Sequence, residues 1–269
     1  MTARRAVRYG SLLYLAAILV APVGLIFYRA FEHGFGVFWD AISNPVAVHA
    51  LKLTVEVAIV AVPLNTVFGI LCALAIVRHR IPGMGLVNAV VDLPMALSPV
   101  VVGLALYLLY GTQGWFGPWL TSHGHRILFA YPGILLATTF VSLPFVVREV
   151  VPVLREIGIE QEEAAATLGA PALATFFRIT LPSIRYAVAY GVVLTTARCL
   201  GEFGAVAIVS GGIENRTQTF TQYVQASYEN FQQTNAYAAS VVLAGLAVAT
   251  LVAMTLFRPR EDIRGDRNA

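Results

Sequence analysis

The sequence predicts an all-α protein that spans a lipid bilayer, and three observations predict it. The 269 residues are 58% hydrophobic and only 12% charged, about half the charge that soluble domains carry. Mean hydropathy is +0.73. The apolar residues gather into runs of about 20, each able to cross roughly 30 Å of hydrocarbon as a helix. A soluble domain of this length buries a good core but still needs a charged surface, which this composition lacks. In lipid the backbone must satisfy itself, and continuous runs of this length do so as helices.

About six such spans are expected, in one transmembrane domain covering residues 1–269. The first, Tyr9–Tyr28, follows Arg4, Arg5 and Arg8. It is longer than a signal-peptide core and no small-x-small cleavage site follows, so it reads as a retained anchor. The second, Leu53–Val77, opens beside Lys52 and Glu56, spaced one helical turn apart as an interfacial ion pair. The third, Leu86–Tyr110, carries Asp92, Pro94 and Pro99. These point to an irregular helix, tolerable at membrane depth only where backbone lines a cavity. Gly111–Pro132 is rich in Gly, Pro and aromatics, as befits an interfacial loop. Its His123 and His125 have no Cys or carboxylate nearby, so no metal site is expected. The fourth, fifth and sixth spans are Gly133–Val153, Ile184–Ser210 and Tyr237–Phe257. Cys72 and Cys199 both fall in apolar runs and read as buried thiols.

Charge sets the orientation. All of the 18 basic residues except Lys52 are arginines, and the net charge is only +3. That is too sparse for a nucleic-acid surface, so the expected surroundings are lipid, with no nucleic-acid partner. Arginines cluster after alternate spans: Arg78 and Arg80, then Arg155, Arg178 and Arg185, then Arg258, Arg260, Arg264 and Arg267. Basic ends on an even number of spans place both termini in the cytoplasm of a multi-pass inner-membrane protein.

The longest cytoplasmic loop, about residues 155–183, has an order that a solvated connection does not need. Glu156, Glu160 and Glu163 recur at helical spacing as one acidic stripe, while Ile157, Ala164 and Leu168 occupy another face. Gly169 is placed to close that helix in a left-handed turn, and Pro171 to open a second one. Leu181-Pro182 then resets the chain into span five.

Glu163-Ala164-Ala165, Gly169, Ile179 and Leu181-Pro182 together resemble the EAA loop of ATP-binding-cassette (ABC) importer permeases. The segments "LPMALSPVVVGLALYLLYG", "LPFVVREVVPVL" and "GEFGAVAIVSGGIENRTQT" are similar to the sulfate/thiosulfate permease pair, the last most of all to its second subunit. The resemblance covers about residues 50–257. It implies a type I importer permease fold and a path for sulfate or thiosulfate into the cytoplasm. It also implies a sister permease, two ATPase subunits that bind ATP and Mg, and an extracytoplasmic sulfate-binding protein. The EAA loop, with Glu160 at its acidic start, would be the element that seats in the ATPase. No cofactor is expected of this chain. A phosphate-binding loop needs Gly-Lys-Ser/Thr, and the one lysine sits in "HALKLT", so the chain is not itself an enzyme.

A second constellation is "TTARCLGEFGAVA". Arg198 falls near the middle of span five with Glu202 one turn on, beside Gly201 and Gly204. A charge at that depth costs about 2.5–3.5 kcal/mol even on insertion scales, so the pair must face protein or water. Two readings stand together: a lock on helix packing, and a lining of the anion path with Asp92, Ser98 and Pro99. Molybdate or tungstate is the alternative substrate. An ion-coupled secondary transporter would need inverted repeats or further intramembrane acids, and a membrane enzyme would need a His, Ser or Cys constellation.

Overall fold

In the computed structural model, residues 2–79 and 83–256 are described, without the side chains of residues 2–6, 19, 251, 254 and 256. Among the described residues all regular structure is helical. In chain order the helices are α1 (Thr2–Phe31), α2 (Phe35–Ser43), α3 (Pro45–Arg78), α4 (Met84–Ala96), α5 (Pro99–Tyr110), α6 (Gly117–Ser122) and α7 (Tyr131–Ser142). They continue with α8 (Pro144–Ile157), α9 (Glu160–Thr167), α10 (Ala172–Thr175), a π turn (Phe176–Thr180), α11 (Leu181–Leu200), α12 (Gly204–Ser210), α13 (Phe220–Glu229) and α14 (Gln233–Leu256).

Three stretches are long and apolar enough to cross a membrane: Val7–Phe31, Pro45–Arg78 and Tyr131–Ile157. Counting two bent pairs as one span each raises the number among the described residues to five. The expected sixth span coincides with α14 as far as Leu256, while Phe257, Arg80 and the arginines from Arg258 onward lie outside the described residues.

Two expected spans are not continuous helices. Span three breaks at Leu97-Ser98, where α4 and α5 meet at 110°. Its cause is local. Pro99 has no N–H and disfavours helical geometry in the residue before it, and Ser98 is accordingly extended at φ −61°, ψ 137°. Span five breaks between Leu200 and Gly204, with a bend of 52° into α12. Conversely, Leu181-Pro182 does not interrupt the chain as expected. Helix continues through it, but the turn before is widened, Leu181 N–H reaching back to Phe176 O. Pro182 has no N–H to lose, so the widening falls where the ladder is weakest.

The described residues gather into two compact units, one of residues 2–53 with Gly212–Gly245, the other of Thr54–Gly211, residues 80–82 aside, with residues 246–256. In the first unit, Ala30, Phe38, Ala41, Ala238 and Val241 form one buried cluster and Ala47, Ala50, Phe220, Tyr223 and Ala239 another. Asn44 opens α3 by accepting from the N–H groups of Val46 and Ala47, and donates to Tyr223 Oη at 2.8 Å. Thr219 and Gln222 form a reciprocal capping box at the start of α13.

The second unit holds the elements that carry the candidate site. Val146, Val147, Val150, Leu154 and Ile184 are fully buried between α3, α8 and α11. Two glycines make this approach possible: a Cβ on Gly69 would stand 2.7 Å from Val146 Cβ, and one on Gly191 would stand 3.0 Å from Val146 Cα. Lipid gives helices no hydrophobic reason to associate, so close approach and hydrogen bonds must hold them. Asn65, 1% exposed, supplies the second kind, donating to Thr139 O at 3.0 Å and Ser142 Oγ at 2.8 Å. Cys199 donates to the same Ser142 oxygen at 3.4 Å, and it and Cys72 are free thiols, buried and half-buried respectively.

Filling the Val146 junction is expected to loosen this unit. Gly69→Leu should destabilise by about 1–3 kcal/mol, the usual cost of overpacking, read as a lower melting temperature in detergent. Gly85→Ala, on α4 where nothing lies within 4 Å, should leave that temperature unchanged. Equal melting of both variants contradicts the packing described.

Candidate functional site: a broken-helix junction and a clamped loop

The two helix breaks meet. On the far side of each break the chain continues as a short helix, α5 or α12, and these pack on each other. A Cβ on Gly103 would lie 2.7 Å from Ala205 O and 2.9 Å from Ile208 Cβ, and one on Gly204 would lie 2.9 Å from Pro99 Cβ. The structure therefore brings Gly204 against Pro99, next to the extended Ser98.

Arg198 and Glu202 form the expected ion pair, Nη2 to Oε2 at 2.6 Å. Their setting is a correction. They flank a break instead of lying mid-helix: Arg198 is in the last turn of α11, and Glu202 follows Gly201 in the non-helical link. A cation suits a helix C-terminus and a carboxylate suits the start of the next helix. Glu202, 3% exposed, accepts the Ala205 N–H at 2.9 Å, so one carboxylate both pairs with Arg198 and caps α12. Arg198 keeps 27% of its side chain open. A half-open cation held beside a broken backbone can present N–H groups to an anion without trapping it.

Asp92 is not part of this junction. It is held by Arg148 on α8, with Nε donating to Oδ1 at 2.7 Å and Nη2 to Oδ2. The sequence reading grouped Asp92 with Arg198 along the path; the structure pairs it with Arg148. Arg148 carried the same signal as Arg198, a charge inside an apolar run, within "LPFVVREVVPVL".

The loop after α8 forms the second part of the site. Gly158, at φ 73°, turns the chain out of α8, and α9 follows with Glu160, Glu162 and Glu163 in its first turn. Gly169 is left-handed at φ 81°, as expected. Its N–H reaches Ala166 O and that of Ala170 reaches Ala165 O, each at 3.0 Å, which closes the helix as a Schellman motif. Pro171 stands one residue outside α10, at the N-cap. Glu160, Glu163, Ala164 and Pro182 are exposed, and Ala165, Ile179 and Leu181 are half-buried. Leu168 is 88% exposed, so the apolar face expected of Ile157, Ala164 and Leu168 does not pack as one surface.

What faces inward is a charge the sequence did not single out. Glu162 accepts from Arg78 Nε at 3.0 Å and Nη2 at 3.2 Å, and from Thr180 Oγ1 at 2.8 Å. Arg78, only 12% exposed, also donates to Leu154 O at 3.1 Å and Gly158 O at 2.7 Å. One guanidinium thus ties the end of α3 to the end of α8 and to α9, and Glu162 extends the tie to the π turn through Thr180. Glu162 was hidden in the sequence by its neighbours in the acidic run, and Arg78 by its use as a topology marker. Among the described residues no group of three or more His, Cys, Asp or Glu is placed to hold a metal ion.

Residues 65–262 match the family described as binding-protein-dependent transport system inner membrane component. The chain is 48% identical to the sulfate transport system permease protein CysW of Synechococcus elongatus, over 93% of this chain and 87% of that protein. It is 42% identical to the Escherichia coli K12 protein of the same name, over 93% and 86%. To the sulfate transport system permease protein CysT of that organism it is 40% identical, over 87% and 85%. Among solved structures, a bacterial alginate ABC transporter bound to its alginate-loaded periplasmic protein matches with a TM-score of 0.76. That match covers 95% of this chain and 92% of that one at 19% identity, a likeness of fold.

The Arg78 clamp predicts a change in loop exposure. Hydrogen bonds to charged groups are worth about 1.5–3 kcal/mol each, so Arg78→Met should raise the rate of cleavage by a glutamate-specific protease in α9 by about tenfold or more. Cleavage at the wild-type rate contradicts a clamp.

Proposed function

The chain belongs to the binding-protein-dependent transport system inner membrane components, and on that premise we propose that it is a permease subunit importing sulfate through an ABC complex. One observation carries the substrate: relatives 42–50% identical over 93% of the chain are named sulfate transport permeases. The path in this proposal runs past the junction of Ser98, Pro99, Arg198, Gly201, Glu202 and Gly204. Sulfate is a dianion, and Arg198 offsets the field of Glu202 while Glu202 keeps Arg198 from holding the anion tightly. Conduction needs that balance, because an anion bound too well does not leave.

The exposed loop is where force enters. Glu160 and Glu163 present carboxylates to a basic partner, and Leu168 presents a bare apolar side chain beside them. An ATPase dimer seated there would push on α9, and Arg78 would pass the displacement to α3, α8 and α11. ATP and Mg stay on that partner. A sister permease completes the pore, an extracytoplasmic binding protein delivers sulfate, and both termini lie in the cytoplasm with the loop.

Membrane vesicles holding the complex should take up labelled sulfate only when ATP and the ATPase are present. Glu163→Arg opposes like charges at the docking face, and Gly169→Val forces a branched side chain into a left-handed residue at a cost of about 1–2 kcal/mol. Both should lower uptake while leaving the amount of permease in the membrane unchanged. Uptake at wild-type rate in both variants would exclude the coupling role.

A further inference from the structure

Arg148 lies inside the apolar stretch Tyr131–Ile157, about 14 Å along the helix from its Ile157 end at 1.5 Å per residue. Val146, Val147, Val150 and Val151 around it are buried, yet 51% of the Arg148 side chain is open and 27% of Asp92. Asp92 is about 12 Å from the start of α4, so the two charges meet at a similar depth from the ends of their helices. An open charge at that depth cannot face lipid.

Guanidinium has five N–H donors, of which Asp92 engages two. The remaining three have no partner among the described residues. An acceptor-only ligand fits them, and the fork geometry of arginine suits a tetrahedral or planar oxyanion. The fixed Asp92 charge makes such a contact weak enough to release its ligand. This repeats the design at Arg198–Glu202, where the arginine lies about 26 Å along α11 from Leu181.

We infer that Arg148, compensated by Asp92, is a second contact for the translocated oxyanion, nearer the α9 end of the path than Arg198. The inference rests on the sulfate-permease reading and adds a station to it. The anion would pass from one compensated arginine to the next, each offering donors with little net charge.

The test uses the native complex in inside-out vesicles, with Cys72→Ala, Cys199→Ala and Ala96→Cys in this chain. Ala96 is exposed and one turn from Asp92, so the ion pair stays intact. The probe is a membrane-impermeant thiol reagent bearing a sulfonate, with and without sodium sulfate. Labelling should occur, and sulfate at four times its half-saturation should slow it about fivefold, whereas chloride at equal ionic strength should not. No labelling, or labelling indifferent to sulfate, overturns the inference, since the face is then sealed or carries no anion. A second variant, Asp92→Asn with Arg148→Gln, removes both charges at once. It should assemble in wild-type amount and take up sulfate about tenfold more slowly. Wild-type uptake overturns the inference, and so does failed assembly, which would place the pair at a subunit contact. Absence of sulfate uptake by the unsubstituted complex would instead refute the proposed function, a separate result.

Discussion

In hydrocarbon, a charge or a backbone polar group must find its partner inside the protein, and that constraint governs this structure. Where the chain runs as long helix, in α3 and in α7 and α8 joined through one turn at Leu143, the backbone satisfies itself and the surface can be apolar. Where it breaks, at Leu97-Ser98 and at Gly201–Phe203, polar groups are freed and the protein answers with specific chemistry. Glu202 takes the Ala205 N–H, Arg198 takes Glu202, and Gly103 and Gly204 let α5 and α12 close on each other. The breaks are confined to where packing and charge compensation are both present. A transport path needs those properties, since backbone irregularity at membrane depth is tolerated where it lines a cavity.

The same constraint separates the membrane part from the loop. Inside the spans, ion pairs compensate one another locally, Asp92 with Arg148 and Glu202 with Arg198. In the loop, one carboxylate turns inward to Arg78 while Glu160 and Glu163 are left outside. Glu162 and Glu163 are adjacent yet do opposite things: the first fastens α9 to its own chain and the second is available to another. In the proposed coupling role both are needed, because an element that docks to a motor without being fastened to the membrane helices transmits nothing.

Much of this was legible in the sequence, and what was not has physical reasons. The helical class and the membrane setting followed from hydropathy alone, and the left-handed Gly169 followed from its place after an acidic helix. The Arg198–Glu202 pair was legible from i, i+4 spacing, since a helix brings those positions together even at its frayed end. The breaks were only partly legible. Hydropathy does not register a bend, so span five looked continuous, whereas Asp92, Pro94 and Pro99 pointed to an irregular span three without placing its break. Pairings between distant segments were invisible, because nothing local couples Asp92 to Arg148 or Arg78 to Glu162, which lie 84 positions apart. Leu181-Pro182 misled for the opposite reason. It has the form of a helix stop, but a single widened turn absorbed it.

The central claim is that the two helix breaks line a water-filled path. Amide hydrogen exchange of the complex in lipid nanodiscs tests it most directly, read on peptides covering residues 96–99 and 201–204 against residues 58–73 of α3. The account predicts that both break segments exchange within minutes while the α3 segment stays protected for hours. Break segments as slow to exchange as α3 would mean that they are sealed in protein, and the path would have to lie elsewhere.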